Sequence, residues 1–240
     1  MRRQFFFVFV VLHLCACGTP PGKPRRDAQV LAPDQVLDFP TLFEQNCAGC
    51  HGKDGDGGAA FPISNPTYVT LVNPDVLRKI IGQGVRGTPM PAFAQSAGGM
   101  LTDKQIDVIA SGMRARWSKP GLLEGLKAPA YASTLSGDPD RGAADYKTFC
   151  ESCHGTGGRG GPKGSSIVEP AFLSLRSDQG LRTIVIVGRP DLGAPDWRNN
   201  VPGRAMSDQE VTDIVAWLSR QRPQNTTHLN ATNRESSNVR

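Results

Sequence analysis

Polar stretches divide the apolar positions of this chain into two sets with the same layout, one in each half. In the first, Phe39, Leu42 and Phe43 recur at helical spacing and predict a short helix running into Cys47. Asn73-Pro74-Asp75 reads as a cap with proline in the first turn, starting a helix that ends at Gly82 and Gly84. Thr102 and Gln105 form a capping box before a last helix to about Trp117, whose apolar stripe is Ile106, Ile109 and Met113. The second set repeats the plan. A helix from Gly137 to Phe149, with Ala143, Tyr146 and Phe149 apolar, runs into Cys150. Pro170-Ala171-Phe172-x-x-Leu175 matches Pro66-Thr67-Tyr68-x-x-Leu71, Leu181-Arg182 matches Leu77-Arg78, and Gly188 matches Gly84. Ser207 and Glu210 make the second capping box, before a helix bearing Val211, Ile214, Val215 and Leu218. A repeat of about a hundred residues is too long for a solenoid and suits tandem domains, here 36–118 and 137–222. The fold class expected is mostly α, two small helical bundles joined by a Pro- and Gly-containing linker at 119–136.

The flanks have a different character. Residues 1–16 combine Arg2 and Arg3 with an apolar run from Phe5 to Leu14, too short to span a bilayer, which reads as an export signal. Leu14-Cys15-Ala16-Cys17-Gly18 resembles a bacterial lipoprotein cleavage box, making Cys17 the candidate for lipidation; Cys15 leaves the register open, and plain signal cleavage is the alternative. Residues 17–35 read as a flexible spacer between anchor and body, and 223–240, polar and without periodicity, as a disordered tail.

Composition then constrains the chemistry. Only 38% of the 240 residues are hydrophobic, against 27 glycines and 19 prolines, which is thin for one large core. The formal charge is +5, and losing residues 1–16, with two arginines and no acid, leaves +3. No basic stripe interleaved with aromatics is present, so nothing points to nucleic acid. Of six cysteines, two lie in the signal region and four in a repeated pentapeptide: Cys47-Ala48-Gly49-Cys50-His51 and Cys150-Glu151-Ser152-Cys153-His154.

C-x-x-C-H is the spacing of c-type haem attachment. Two thiols bond the two vinyl carbons of one porphyrin, and the next residue brings an imidazole to the iron. On one helical turn these side chains share a side. A four-thiolate zinc site and a pair of redox-active disulfides compete with this reading. Neither explains a histidine after each second cysteine, nor the Met-Pro downstream and the export signal upstream. The glycine runs that follow, Gly52 to Gly58 and Gly155 to Gly164, lack the Gly-Lys-Ser/Thr of a phosphate loop and read as loops around the haem edge.

With helix, C-x-x-C-H, glycine loop, short helix, Met-Pro loop and final helix in that order, each half resembles a class I cytochrome c. The resemblance implies two covalently bound haem c groups, at Cys47, Cys50, His51 and at Cys150, Cys153, His154, each wrapped by helices. It implies Met90, between Pro89 and Pro91, as the second axial ligand of the first iron. At the corresponding place in the second half stands Ala194, which cannot ligate. Met206, just before the cap Ser207, is then the candidate ligand, reaching the iron from its loop; the alternatives are a hydrophobic staple packing on Val211 and an open or water-bound iron, and His228 lies in the tail. By this resemblance the protein is an electron carrier on the periplasmic side of a bacterial membrane. Its partners would be a quinol-oxidising complex or dehydrogenase on one side and a terminal oxidase, reductase or photosynthetic reaction centre on the other. The alternative is a haem enzyme or gas sensor, for peroxide, nitric oxide or carbon monoxide, working at an open second haem.

Overall fold

The computed structural model describes residues 31–223. The export signal, Cys17 and its lipid site, and the tail from 224 with His228 lie outside the described residues. The chain divides into two units, 1–35 and 36–240. In the described part of the first, a 3-10 turn at Pro33–Gln35 is closed by the Ala32 N–H donating to the Gln35 side-chain oxygen (3.1 Å).

In the second unit the architecture is all helical, with ten α-helices and no strand among the described residues. They come in two runs of five: α1 Phe39–Asn46, α2 Ala48–His51, α3 Pro66–Leu71, α4 Pro74–Gln83 and α5 Asp103–Trp117. The second run is α6 Pro139–Phe149, α7 Glu151–His154, α8 Pro170–Ser174, α9 Asp178–Val187 and α10 Asp208–Arg220.

Local chemistry explains most starts. Side chains of Asp38, Asn65, Asn73, Asp138 and Ser177 accept from the first-turn N–H groups of α1, α3, α4, α6 and α9. Both expected capping boxes form, Thr102 with Gln105 and Ser207 with Glu210. One start differs: α6 begins at Pro139, not Gly137, because the Asp138 carboxylate takes the N–H groups of Asp140 and Arg141.

In each half the first and last helices cross, and this crossing holds the Cys-containing segment. In the first, Phe39 and Phe43 of α1 meet Trp117 of α5 edge-on, at 5.9 and 5.2 Å between ring centroids. In the second, Tyr146 of α6 stacks on Trp217 of α10 at 4.4 Å. The expected stripes are buried: Ile106, Ile109 and Met113 on α5, and Val211, Ile214, Val215 and Leu218 on α10.

The halves touch. The Asn65 amide donates to the Val187 carbonyl (3.3 Å), and Tyr68 meets Tyr131 of the 119–136 segment at 6.5 Å. That segment is held from the other side by Arg182, only 4% exposed. Its guanidinium donates to the carbonyls of Ala130 (2.8 Å) and Tyr131 (3.2 Å) and to the Thr212 hydroxyl (2.9 Å), and pairs with Asp208.

Candidate cofactor attachment sites

Each pentapeptide is built as a helix restart. The Cys47 N–H donates to Phe43 O (2.8 Å), closing α1, while the Cys47 carbonyl accepts from Cys50 N (3.2 Å) and His51 N (3.0 Å), opening α2. Cys150 does the same between α6 and α7: its N–H reaches Tyr146 O (2.8 Å), and its carbonyl accepts from Cys153 N (3.1 Å) and His154 N (2.9 Å). Cys47, Cys50 and His51 therefore occupy one helical turn, as do Cys150, Cys153 and His154. None of these four cysteines is joined in a disulfide.

The imidazoles are oriented from behind. His51 Nδ1 lies 2.8 Å from the Phe61 carbonyl and His154 Nδ1 2.8 Å from the Ser165 carbonyl. A carbonyl only accepts, so Nδ1 carries the proton in both rings and Nε2 keeps its lone pair. A ligating histidine is characteristically held this way, and the bond fixes the ring's angle as well as its tautomer. Burial also pushes the His51 imidazole below its ordinary pKa, which favours the neutral, ligating form.

The competing readings fare worse. Burial, with the neighbouring Cys50 adding to it, pushes the Cys47 thiol up to about 11; burial, with Cys153, pushes Cys150 up to about 12. A redox-active C-x-x-C needs a lowered thiol pKa. Among the described residues no three His, Cys, Asp or Glu side chains gather into a metal-holding group, so the four cysteines do not assemble a zinc site. Paired thiols and an Nε2-presenting imidazole on one turn fit a haem attached through thioethers.

The loops on the far side of each site align by their hydrogen bonds. Helix α4 ends at Gly84 (φ 66, ψ −169) and α9 at Gly188 (φ 68, ψ −170). A Cβ at Gly84 would come within 2.5 Å of the Pro91 carbonyl carbon, and one at Gly188 within 2.3 Å of the Pro195 oxygen, so both turns demand glycine. The next N–H then closes the loop, Val85 to Met90 O (3.1 Å) and Arg189 to Ala194 O (3.0 Å). Ala194 thus stands at the place of Met90.

Met90 is half-buried, and its N–H donates to the Thr88 hydroxyl (3.3 Å). Met206 is 2% exposed, within the hydrophobic core. Its N–H donates to Trp197 O (2.9 Å), as the Leu101 N–H donates to Phe93 O (2.8 Å), and Leu101 is itself a core residue, 5% exposed. Of the other methionines, Met113 is core and Met100 exposed.

Phe61 and Ser165 were not singled out from the sequence. They act through main-chain oxygens, which any residue would supply. The available signal was the near-equal length of the two glycine loops, which carries each chain back beneath its histidine.

The family model for cytochrome c oxidase, cbb3-type, subunit III matches this chain twice, over residues 34–111 and 137–218. A cytochrome bc1 complex cytochrome c subunit of Mycobacterium tuberculosis is 24% identical over 178 residues, 74% of this chain and 60% of the relative. A cbb3-type cytochrome c oxidase subunit CcoP of an Azospirillum species is 30% identical over 131 residues, 50% of this chain and 39% of the relative. The chain therefore spans less than two thirds of either relative's length. The solved reducing HAO-like protein complex of Kuenenia stuttgartiensis aligns at a TM-score of 0.47 and 16% identity, over 81% of this chain and 100% of its own. No helix among the described residues is long and apolar enough to cross a membrane. With both halves matched, and with a thioether-competent turn in each, the chain belongs to the cytochrome c family described as cytochrome c oxidase, cbb3-type, subunit III, and carries two covalently bound haem c groups.

Proposed function

We propose that this protein is a two-haem electron carrier of the bacterial envelope. Cys47 and Cys50 would hold one haem through thioethers, with His51 Nε2 on its iron, and Cys150, Cys153 and His154 Nε2 would hold the other in the same way. The observation that carries the reading is the pair of Nδ1–carbonyl hydrogen bonds, at 2.8 Å in both halves, which presents each imidazole for ligation. Bound haem c supplies one-electron exchange at its iron. The protein's contribution is to hold the ligands still, so that little rearrangement accompanies a change of charge. Met90 would supply the second iron ligand in the first half, where a thioether would favour the ferrous form and raise the potential. For the second half, the burial of Met206 supports a packing role.

The contacts Asn65–Val187 and Tyr68–Tyr131 favour a relay, since they tie the halves to one another. The two respiratory relatives are a subunit of a bc1 complex and a subunit of a cbb3 oxidase. By that likeness the carrier takes electrons from a quinol-oxidising complex or dehydrogenase and delivers them to a terminal oxidase or reductase. Export by residues 1–16 and lipidation at Cys17 would keep it at the periplasmic face of a membrane, near such partners.

The test is haem content and redox titration of the purified, exported protein. Two haem c groups per chain and two one-electron transitions are expected, and Cys150→Ala with Cys153→Ala should leave one of each. A colourless protein, or one that holds zinc, refutes the proposal.

A further inference from the structure

The second distal loop departs from the first in more than one residue, and its departures agree. From Gly188 to Ala205 it contains no methionine, histidine, cysteine, lysine or tyrosine. Its two carboxylates are engaged, Asp191 by the Arg189 guanidinium (2.9 Å) and Asp196 by that of Arg198. Asn199 and Asn200 donate to the side chain and the carbonyl of the same Asp196 (3.2 and 2.9 Å). Ala194, at the Met90 place, is tied through both main-chain groups to Arg189, its N–H donating at 2.9 Å and its carbonyl accepting at 3.0 Å. A methyl group and two spent peptide groups offer nothing to a metal.

The loop is also braced against rearrangement. A 3-10 turn at Pro190–Leu192 closes into Gly193 in the left-handed region (φ 80), and Arg198 lies 4.8 Å over the Trp197 ring, itself 1% exposed. Met206, the remaining soft donor of this half, is packed at 2% exposure in the position Leu101 fills in the first half. Turning its sulfur to a cofactor would empty a core position, at a cost of the kind seen when buried side chains are truncated.

We infer that the second half supplies its haem iron with no distal side chain. That position is thereby left to water in the ferric protein and to small neutral diatomic ligands in the ferrous one. The inference rests on the attachment of a haem at Cys150, Cys153 and His154. It makes the halves unequal: the first built for transfer alone, the second also a binding site for a small ligand.

The experiment is a carbon monoxide titration of the reduced full-length holoprotein, with haem content measured on the same sample. Two haems per chain test the attachment; the number of carbon monoxide molecules bound tests the inference. One carbon monoxide per two haems is expected, and in the ferric protein one low-spin and one high-spin or water-bound centre by electron paramagnetic resonance. Met206→Leu, which preserves core volume, should leave both results unchanged. Met90→Ala should raise the stoichiometry to two, and Ala194→Met should lower it to none. Two low-spin haems that ignore carbon monoxide in the unaltered protein overturn the inference, whether the ligand proves to be Met206 or His228. So does any gain of carbon monoxide binding on Met206→Leu. The unaltered protein decides the matter even where a variant fails to take up haem.

Discussion

Gly142→Ala tests the crossing that holds the second attachment turn. A Cβ at Gly142 would sit 2.0 Å from the Asp213 carbonyl oxygen, 2.5 Å from its carbon and 2.9 Å from Trp217 Cβ. The first two are main-chain atoms and cannot swing aside, so α6 and α10 must part by more than an ångström. Parting them spoils the Tyr146–Trp217 stack one turn further on, and an aromatic pair contributes about 0.5–1.5 kcal/mol. Overpacking strain adds about 1–3 kcal/mol. Alanine returns about 1 kcal/mol of helix propensity. The net expectation is a loss of about 2 kcal/mol, or on the order of 10 °C in Tm for a domain of this size. Gly180→Ala is the control, because its Cβ meets only the Ser177 hydroxyl, at an ordinary 3.4 Å. That change should stabilise by about 0.4–1 kcal/mol. Thermal unfolding of the holoprotein, followed by circular dichroism and by the haem Soret band, reads both. If Gly142→Ala melts at or above the parent temperature, the crossing is looser than described and the reasoning fails.

Two further changes probe the same half. Asp213, its side chain 2% exposed, accepts from the Asp138 N–H, from both arms of Arg141 and from Gln209. Burial raises its pKa, but these hydrogen bonds and the Arg141 charge outweigh it and hold the carboxyl below its ordinary 3.8. A lowered folded-state value means stability present above the unfolded pKa and lost as pH falls through the folded one. Asp213→Asn should therefore cost about 2 kcal/mol at neutral pH, and the gap to the parent should narrow below about pH 4. Denaturant titrations at pH 7 and pH 3 measure this, and a gap independent of pH contradicts it. Arg182→Met strips the donors from the Ala130 carbonyl, leaves the Tyr131 carbonyl to the Gln179 amide (2.8 Å) alone, and leaves Asp208 without its guanidinium. Faster limited proteolysis within 119–136 is expected, with haem content unchanged; an unaltered cleavage rate would mean that Arg182 does not hold that segment.

What could be read from the chain was what neighbours along it determine. Helix ends followed from caps such as Thr102 with Gln105 and Ser207 with Glu210, because the partners lie within one turn. The C-x-x-C-H turns were legible for the same reason, and so was the substitution of Ala194 for Met90, since two copies in one chain can be compared. Asp138 shows the limit of that reading: its choice of two particular N–H groups moved the start of α6 by two residues.

The rest needed the third dimension. Arg78 and Arg182 occupy matching places in the repeat, yet Arg78 pairs with Asp75 and Asp107 at the surface while Arg182 is buried under the connecting segment. The repeat could not foretell this, because that segment packs on α9 and α10. The acceptors behind His51 and His154 are peptide oxygens, which leave no mark in the residue type. Met206 had two roles open to it in the sequence, and its burial in the core at the station of Leu101 is a fact that only the fold supplies. Residue type and short spacing determine what a group can do; its neighbours across the fold determine which of those things it is free to do.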